Sequence, residues 1–286
     1  PALVYGQPQM GKTSLLVSTA NASAKSVYLA LINLREIGGE GDIAKSLLSA
    51  ICQQVANATS YPLPRAHNFD LDPYQTAGNF IRQTCAQLGS MSLVIGLDEY
   101  EESDALFPER EVLERLLLFL WQLYESTSNL DFVFISQAPP TEFGRNYANP
   151  FANGVVRIHL SYLKERAIRR LLIWPTPDFA PVFTDDAIQL MTQLTAGQPY
   201  LLQLIAHFVV AFYNNHLLRV SDDSEQPDPA LTVDHVEQTR QDAEFKNFSH
   251  RYFSSLLRQV RKIDPNSEAV LRCLATRSEG LSEGQL

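Results

Sequence analysis

The sequence predicts an α/β fold, a parallel sheet layered between helices with a helical region after it, on three observations. Up to about residue 160, short apolar runs rich in β-branched residues alternate with longer helical patterns, the habit of a parallel sheet. The first run feeds directly into a glycine-bearing loop and then a helical pattern. After residue 162 the strand signals stop and helical periodicity takes over.

In order along the chain, the expected strands are 2–5, 26–32, 93–97, 132–136 and 155–160. Helices are expected between them at about 12–20, 42–57, 74–88 and 109–127. The third run is almost wholly apolar, as befits a strand covered on both faces. Beyond it, helices at about 164–173, 184–195 and 198–217 read as a lid. A Ser/Asp/Glu/Pro segment, 221–229, reads as a linker, and Thr232 as the N-cap of the helix that follows. Charge reverses there. Residues 221–244 hold eight acids against the single base Arg240, whereas 245–262 hold five bases and no acid. The expected division is a core at 1–163, a lid at 164–220, a linker at 221–230 and a further domain from 231 to 286.

Composition bounds the function. The 286 residues, 45% of them hydrophobic and 19% charged, suffice for a sizeable core and rule out a disordered chain. A net charge of −9 argues against a surface coated in nucleic acid, although a local basic patch can sit inside an acidic total. Cys52, Cys85 and Cys273 form no CxxC pair, so neither a disulfide framework nor a zinc site is indicated, and a reducing cytoplasm is the expected setting. The longest apolar run, 200–213, is too short and too polar to cross a bilayer. The six histidines show no metal-ligand spacing. The chain opens on a strand without an initiator Met or signal pattern, and reads as an excised fragment.

The chemistry is carried by strand ends. Gly6, Gln7, Pro8, Gln9, Met10, Gly11, Lys12 and Thr13 form a complete GxxxxGK[ST] string between a strand and a helix, with Ser14 the next residue. Such a loop turns backbone N–H groups and a helix N-terminus toward phosphates. Lys12 then reaches the β/γ oxygens of ATP or ADP, and the Thr13 hydroxyl ligates Mg2+. The run 93–97 ends in Asp98 and Glu99, where a sheet delivers groups to a ligand at its carboxyl edge. Asp98 is the second expected Mg2+ ligand and Glu99 the group that polarises the attacking water. Ser136 and Gln137 end the next strand, and Gln137 or Ser136 is placed to sense the γ-phosphate or orient water. Lys246, Arg251, Arg258, Arg261 and Lys262, interleaved with Phe248, Tyr252 and Phe253, read first as the solvated basic face of an amphipathic helix and second as a nucleic-acid surface.

With these motifs in register the chain resembles the additional-strand P-loop ATPases, and within them the AAA+-like STAND and archaeal-type ATPases. The extra strand 26–32, the Glu99 beside Asp98, and Gly197-Gln198-Pro199, similar to the GxP motif at the start of a STAND lid helix, carry the resemblance. It implies a three-layer core with sheet order 5-1-4-3-2, Pro199 packed against the nucleotide, and a winged helix opening over 245–262, 267–276 and 281–286. It also implies a slowly hydrolysing ATP–Mg2+ switch that forms a homo-oligomer when ATP-bound and controls flanking sensor and effector domains. Two parts of the family pattern find no counterpart. The adenine-contacting segment would precede this sequence, and Arg145 and Arg157 are arginine-finger candidates by position alone. The second expectation is a DNA-binding AAA+ ATPase of origin-recognition type, and the third a nucleotide-dependent scaffold without turnover.

Overall fold

The structure, a computed structural model, describes residues 1–38, 41–137, 148–173, 182–220, 230–263 and 266–275. Its contacts divide the chain into two units, Pro1–Ser161 and Tyr162–Leu286.

The first unit runs β1 (Ala2–Tyr5), α1 (Lys12–Ala22), β2 (Val27–Asn33), α2 (Ile43–Thr59), α3 (Ala66–Leu71), α4 (Pro73–Gln87), β3 (Ser92–Asp98), α5 (Ser103–Leu106), α6 (Arg110–Ser126), β4 (Leu130–Ser136) and β5 (Val156–His159). Its strands lie in the order β2-β3-β4-β1-β5, all parallel, which is the expected 5-1-4-3-2 order read from the other edge. Parallel neighbours bring their carboxyl ends to one edge: Tyr5 lies opposite Ser136 and His159, and Asn33 opposite Asp98.

Alternation within the strands builds the layers. Leu3, Ile95, Leu97, Phe132 and Phe134 are buried in one apolar cluster with Leu48 and Ile51 of α2, Ile81 of α4 and Leu116 and Leu120 of α6. The loop residue Phe151 completes it, with its ring edge-on to Phe134 at 4.9 Å and Trp121 at 5.1 Å. Gly96 points to the opposite face. A Cβ there would come within 3.0 Å of Leu16 on α1 and 2.9 Å of Leu31, so the absent side chain lets α1 lie close on the sheet. The result is a three-layer α/β fold. Helix starts are set locally: Asp42 accepts a bond from the Lys45 N–H at 3.0 Å, and Asp72 from the Gln75 N–H at 2.9 Å, with Pro73 at the first helical position.

The second unit contains α7 (Glu165–Ile173), β6 (Val182–Phe183), α8 (Asp185–Thr195), α9 (Pro199–Val220), β7 (Ala230–Leu231), α10 (Val233–Gln241), α11 (Ala243–Ile263) and α12 (Ser267–Ala275). Ile168, Phe183, Met191, Leu202, Ile205, Leu231 and Val236 share its core, so α10 packs with α7–α9. Thr232 is the N-cap of α10, and its N–H donates to the His235 Nδ1 at 3.1 Å. Before α9, Gly197 has φ 78 and a Cβ there would lie 2.5 Å from the Leu163 carbonyl, so only glycine fits the crossing.

Four elements depart from the expectations. α3 and α5 fall outside the expected helices because six and four residues show too little of a helical period. β6 and β7, two residues each, interrupt the expected all-helical region and pair in parallel, Val182 with Ala230 and Phe183 with Leu231. Ala230, expected at the end of the linker, is therefore a strand residue. The linker stretch 221–229 and the third expected winged-helix segment, 281–286, lie outside the described residues. Among the described residues no helix is long and apolar enough to cross a membrane.

Candidate active site

The site starts where β1 stops. The chain turns at Gly6, whose N–H donates to the Ser136 carbonyl at 3.3 Å. A Cβ on Gly6 would sit 2.4 Å from the Leu160 carbonyl oxygen, a contact no other residue type could make without moving backbone. The loop takes left-handed conformations at Gln9 (φ 60) and Gly11 (φ 81), and Gly11 is the N-cap of α1. Met10 is buried and tethers the loop, whereas Gln7, Gln9 and Ser14 are exposed and Pro8 is half-buried. The first-turn N–H groups of α1 have no partner within the helix, which makes its start a ready anion site.

Lys12 is buried, and its Nζ donates to the carbonyls of Gly6 and Gln7 at 2.9 Å each. Burial pulls its pKa below the usual lysine value, while Glu101, Glu99 and Asp98 oppose that shift. An ammonium held by two carbonyls of its own loop is a charge awaiting a stronger acceptor. Beside it the Thr13 hydroxyl donates to Asp98 Oδ2 at 2.6 Å. The other Asp98 oxygen, Oδ1, accepts from the Glu99 N–H at 2.9 Å, which fixes the carboxylate. Thr13 and Asp98 are both hard oxygen donors, the ligand type Mg2+ takes alongside phosphate and water.

Glu99 follows β3 in a left-handed conformation, φ 56 and ψ 45, which turns the chain after Asp98. Its Oε2 accepts from the Gln137 Nε2 at 3.2 Å and pairs with Arg35 at 3.1 Å. The Gln137 N–H donates to Glu101 Oε2 at 3.1 Å. Burial raises the Glu99 pKa first and its contact with the Glu101 carboxyl raises it further, with Arg35 and Gln137 acting the other way. A carboxyl so raised is a stronger base once ionised.

Lys12, Thr13, Asp98, Glu99 and Gln137 thus converge at one sheet edge. Pro199 is the first residue of α9, in the second unit. Arg157 is exposed on β5, and Arg145 lies outside the described residues.

Two contributors escaped the sequence reading. Arg35, in the turn after β2, bridges Glu99 and Glu102, the latter through Nε at 2.9 Å. Glu101 holds the strand end that carries Gln137. The available signal for Arg35 was position: a polar residue just past the end of the strand beside β3.

No protein-family model matches the chain, and no curated protein matches it in sequence. Solved structures do match in fold. The Aeropyrum pernix ORC1 protein, solved in complex with DNA, aligns over 98% of this chain and 66% of its own at 16% identity and a TM-score of 0.52. The ORC2 protein of the same organism, with ADPNP and ADP, covers 83% of this chain and 60% of its own at 16% identity, TM-score 0.55. CDC6P from Pyrobaculum aerophilum covers 76% and 55% at 14% identity, TM-score 0.50. The chain therefore spans no more than about two thirds of these proteins. The likeness is one of fold: a three-layer α/β core on a five-stranded parallel sheet, followed by a helical region.

Proposed function

We propose that this chain binds ATP with Mg2+ and hydrolyses it slowly, as the nucleotide-dependent part of a DNA-acting AAA+ machine of origin-recognition type. The observation that carries the nucleotide reading is the convergence of Lys12, the α1 N-terminus, the Thr13–Asp98 oxygen pair and Glu99 at one sheet edge. In this reading Lys12 exchanges the carbonyls of Gly6 and Gln7 for β- and γ-phosphate oxygens, and the loop N–H groups take the remaining charge. Thr13 and Asp98 would hold a Mg2+, whose positive charge would offset that of the phosphates. Glu99 accepts a proton from the water whose oxygen bonds to the γ-phosphorus as the bond to the β-phosphate oxygen breaks, and Gln137 steers that water. The proton then passes to the released phosphate.

The DNA-acting part is supported by the likeness to ORC1, which extends through both units of this chain. The exposed Arg251, Arg258 and Arg261 of α11, a helix whose residues from 245 to 262 include no acid, add a basic face in an acidic protein. Titration of a labelled duplex should show ATP-dependent binding that weakens steeply and log-linearly with salt. Binding that ignores salt, or none at low salt, would leave the second reading. That reading is a STAND-like switch, favoured by Gly197-Gln198-Pro199 at the head of α9, in which ATP drives homo-oligomer formation and controls flanking sensor and effector domains. The division into core, lid and the opening of a winged helix, and a role for Pro199 at the nucleotide, belong to these proposals.

Two variants probe the site further. Asp98→Asn should raise the Mg2+ concentration needed for tight ATP binding by at least about tenfold, the usual scale for a disturbed metal ligand shell. An unchanged Mg2+ dependence removes Asp98 from the metal. Arg35→Ala should free Glu99 and raise basal hydrolysis at unchanged ATP affinity. The Arg35 side chain is half exposed, and exposed pairs contribute about 1 kcal/mol at most, so the rise should not exceed roughly fivefold. A fall in rate would instead make Arg35 the group that positions Glu99 for catalysis.

A further inference from the structure

A groove of about 480 Å³ runs along α4 and contains none of the nucleotide-site residues. Its floor is the buried Phe80 and the half-buried Tyr61, whose rings lie 5.7 Å apart. Pro62 and Pro64 form one side. These have no N–H to donate, so they offer apolar rings and carbonyl acceptors but no backbone donor. The other side is a row of carboxamides, Gln75, Asn79 and Gln83, exposed on one face of α4.

The spacing of that row selects a ligand shape. Residues four apart on a helix advance about 6 Å, and an extended chain advances about 6.6 Å for every two residues. Three carboxamides in succession therefore keep step with alternate peptide groups of one extended segment. Each carries a donor and an acceptor, the same pair that a peptide group presents. Among the described residues the Gln75 and Gln83 amides have no hydrogen-bond partner. Asn79 Oδ1 accepts from Arg82 at 3.1 Å, which orients that amide with its N–H groups available. At one end Leu71 is 83% exposed, an unusual cost for a leucine on a well-packed domain and a natural contact for an apolar side chain.

Charge narrows the choice. The groove lining contains no cation, so nothing in it would hold a phosphate or carboxylate ligand. Asp72 is its one charged residue, and one carboxylate oxygen already caps α4. We propose that this groove binds an extended, uncharged or basic peptide segment of about five residues. The carboxamide row reads its main chain, and Leu71, Tyr61 and Phe80 contact its apolar side chains.

The test uses the whole chain and an acetylated, amidated octapeptide of alternating leucine and serine with a lysine at one end. A second peptide is identical except for N-methylation of alternate backbone amides. Side-chain amide NMR signals of Gln75, Asn79 and Gln83 should shift on titration with the first peptide. Affinity should fall about tenfold or more for the methylated peptide, the expected scale for losing two or three main-chain hydrogen bonds. The triple variant Gln75→Ala, Asn79→Ala, Gln83→Ala should lose affinity equally, with an unchanged unfolding temperature because all three positions are exposed. Lys12→Ala should bind the peptide like wild type, so failure of the nucleotide reading would leave this result standing. Equal affinity for the methylated peptide, no shift at millimolar peptide, or shifts produced only by linear maltohexaose would each overturn the proposal, the last by making the groove a carbohydrate site.

Discussion

Lys12→Ala is expected to bind ATP between about 30-fold and several thousand-fold more weakly than wild type, measured by calorimetry with Mg2+ present. The range follows from the usual cost, about 2–5 kcal/mol, of truncating one partner of a buried charge-assisted contact. Lys12 is the cation that the loop carries, and its Nζ is held by the carbonyls of Gly6 and Gln7, acceptors that a phosphate oxygen outcompetes. The fold should survive. The ammonium is already penalised by burial, so removing it also removes a desolvation cost, and the loop keeps its Gly6-to-Ser136 backbone bond and its buried Met10. Circular dichroism and the unfolding temperature should stay close to wild type. Affinity like that of wild type would remove the phosphate-loop assignment altogether.

Glu99→Gln should bind ATP normally and hydrolyse it roughly 100-fold more slowly or worse, the common scale for a lost general base. Glutamine keeps the size of the side chain and can still meet Gln137, but it cannot accept the proton of the attacking water. The left-handed backbone at Glu99 should tolerate the exchange, because neither residue is β-branched and the strain is the same. The pH profile supplies an independent check. Burial and the Glu101 carboxyl raise the Glu99 pKa, so the proton returns, and activity is lost, at a higher pH than for an ordinary glutamate. Glu101→Gln, by removing the neighbouring acid, should move that acid limb to lower pH, although burial, the larger cause, remains.

The parts of this fold that could be read in the sequence are those where a strand and a motif share residues. β1 runs into the Gly6–Thr13 loop, β3 ends on Asp98, and β4 ends on Ser136, so each strand end is marked twice, by apolar run and by polar terminus. The strand order was carried by the family resemblance, since apolar runs specify strands without saying which are neighbours. The Arg35–Glu99 contact was hidden for the same reason. It joins residues far apart in sequence and exists only because β2 lies beside β3 with Asn33 opposite Asp98. Nor does a glutamate advertise φ 56, and nothing in the residue type at position 99 could have shown that the chain takes a left-handed turn there. The choice between a signalling switch and a DNA-handling ATPase was open because both use the same phosphate loop and acidic strand end.

The central claim, a Mg2+–ATP site in which Glu99 activates water, is tested most directly by single-turnover hydrolysis and ATP affinity measured on the same preparations of wild type and Glu99→Gln. The account predicts Mg2+-dependent phosphate release by wild type, equal ATP affinity for both proteins, and a release rate lower by about 100-fold or more in the variant. Equal release rates, or tight ATP binding by wild type with no phosphate release at all, would contradict it and leave Glu99 a structural acid.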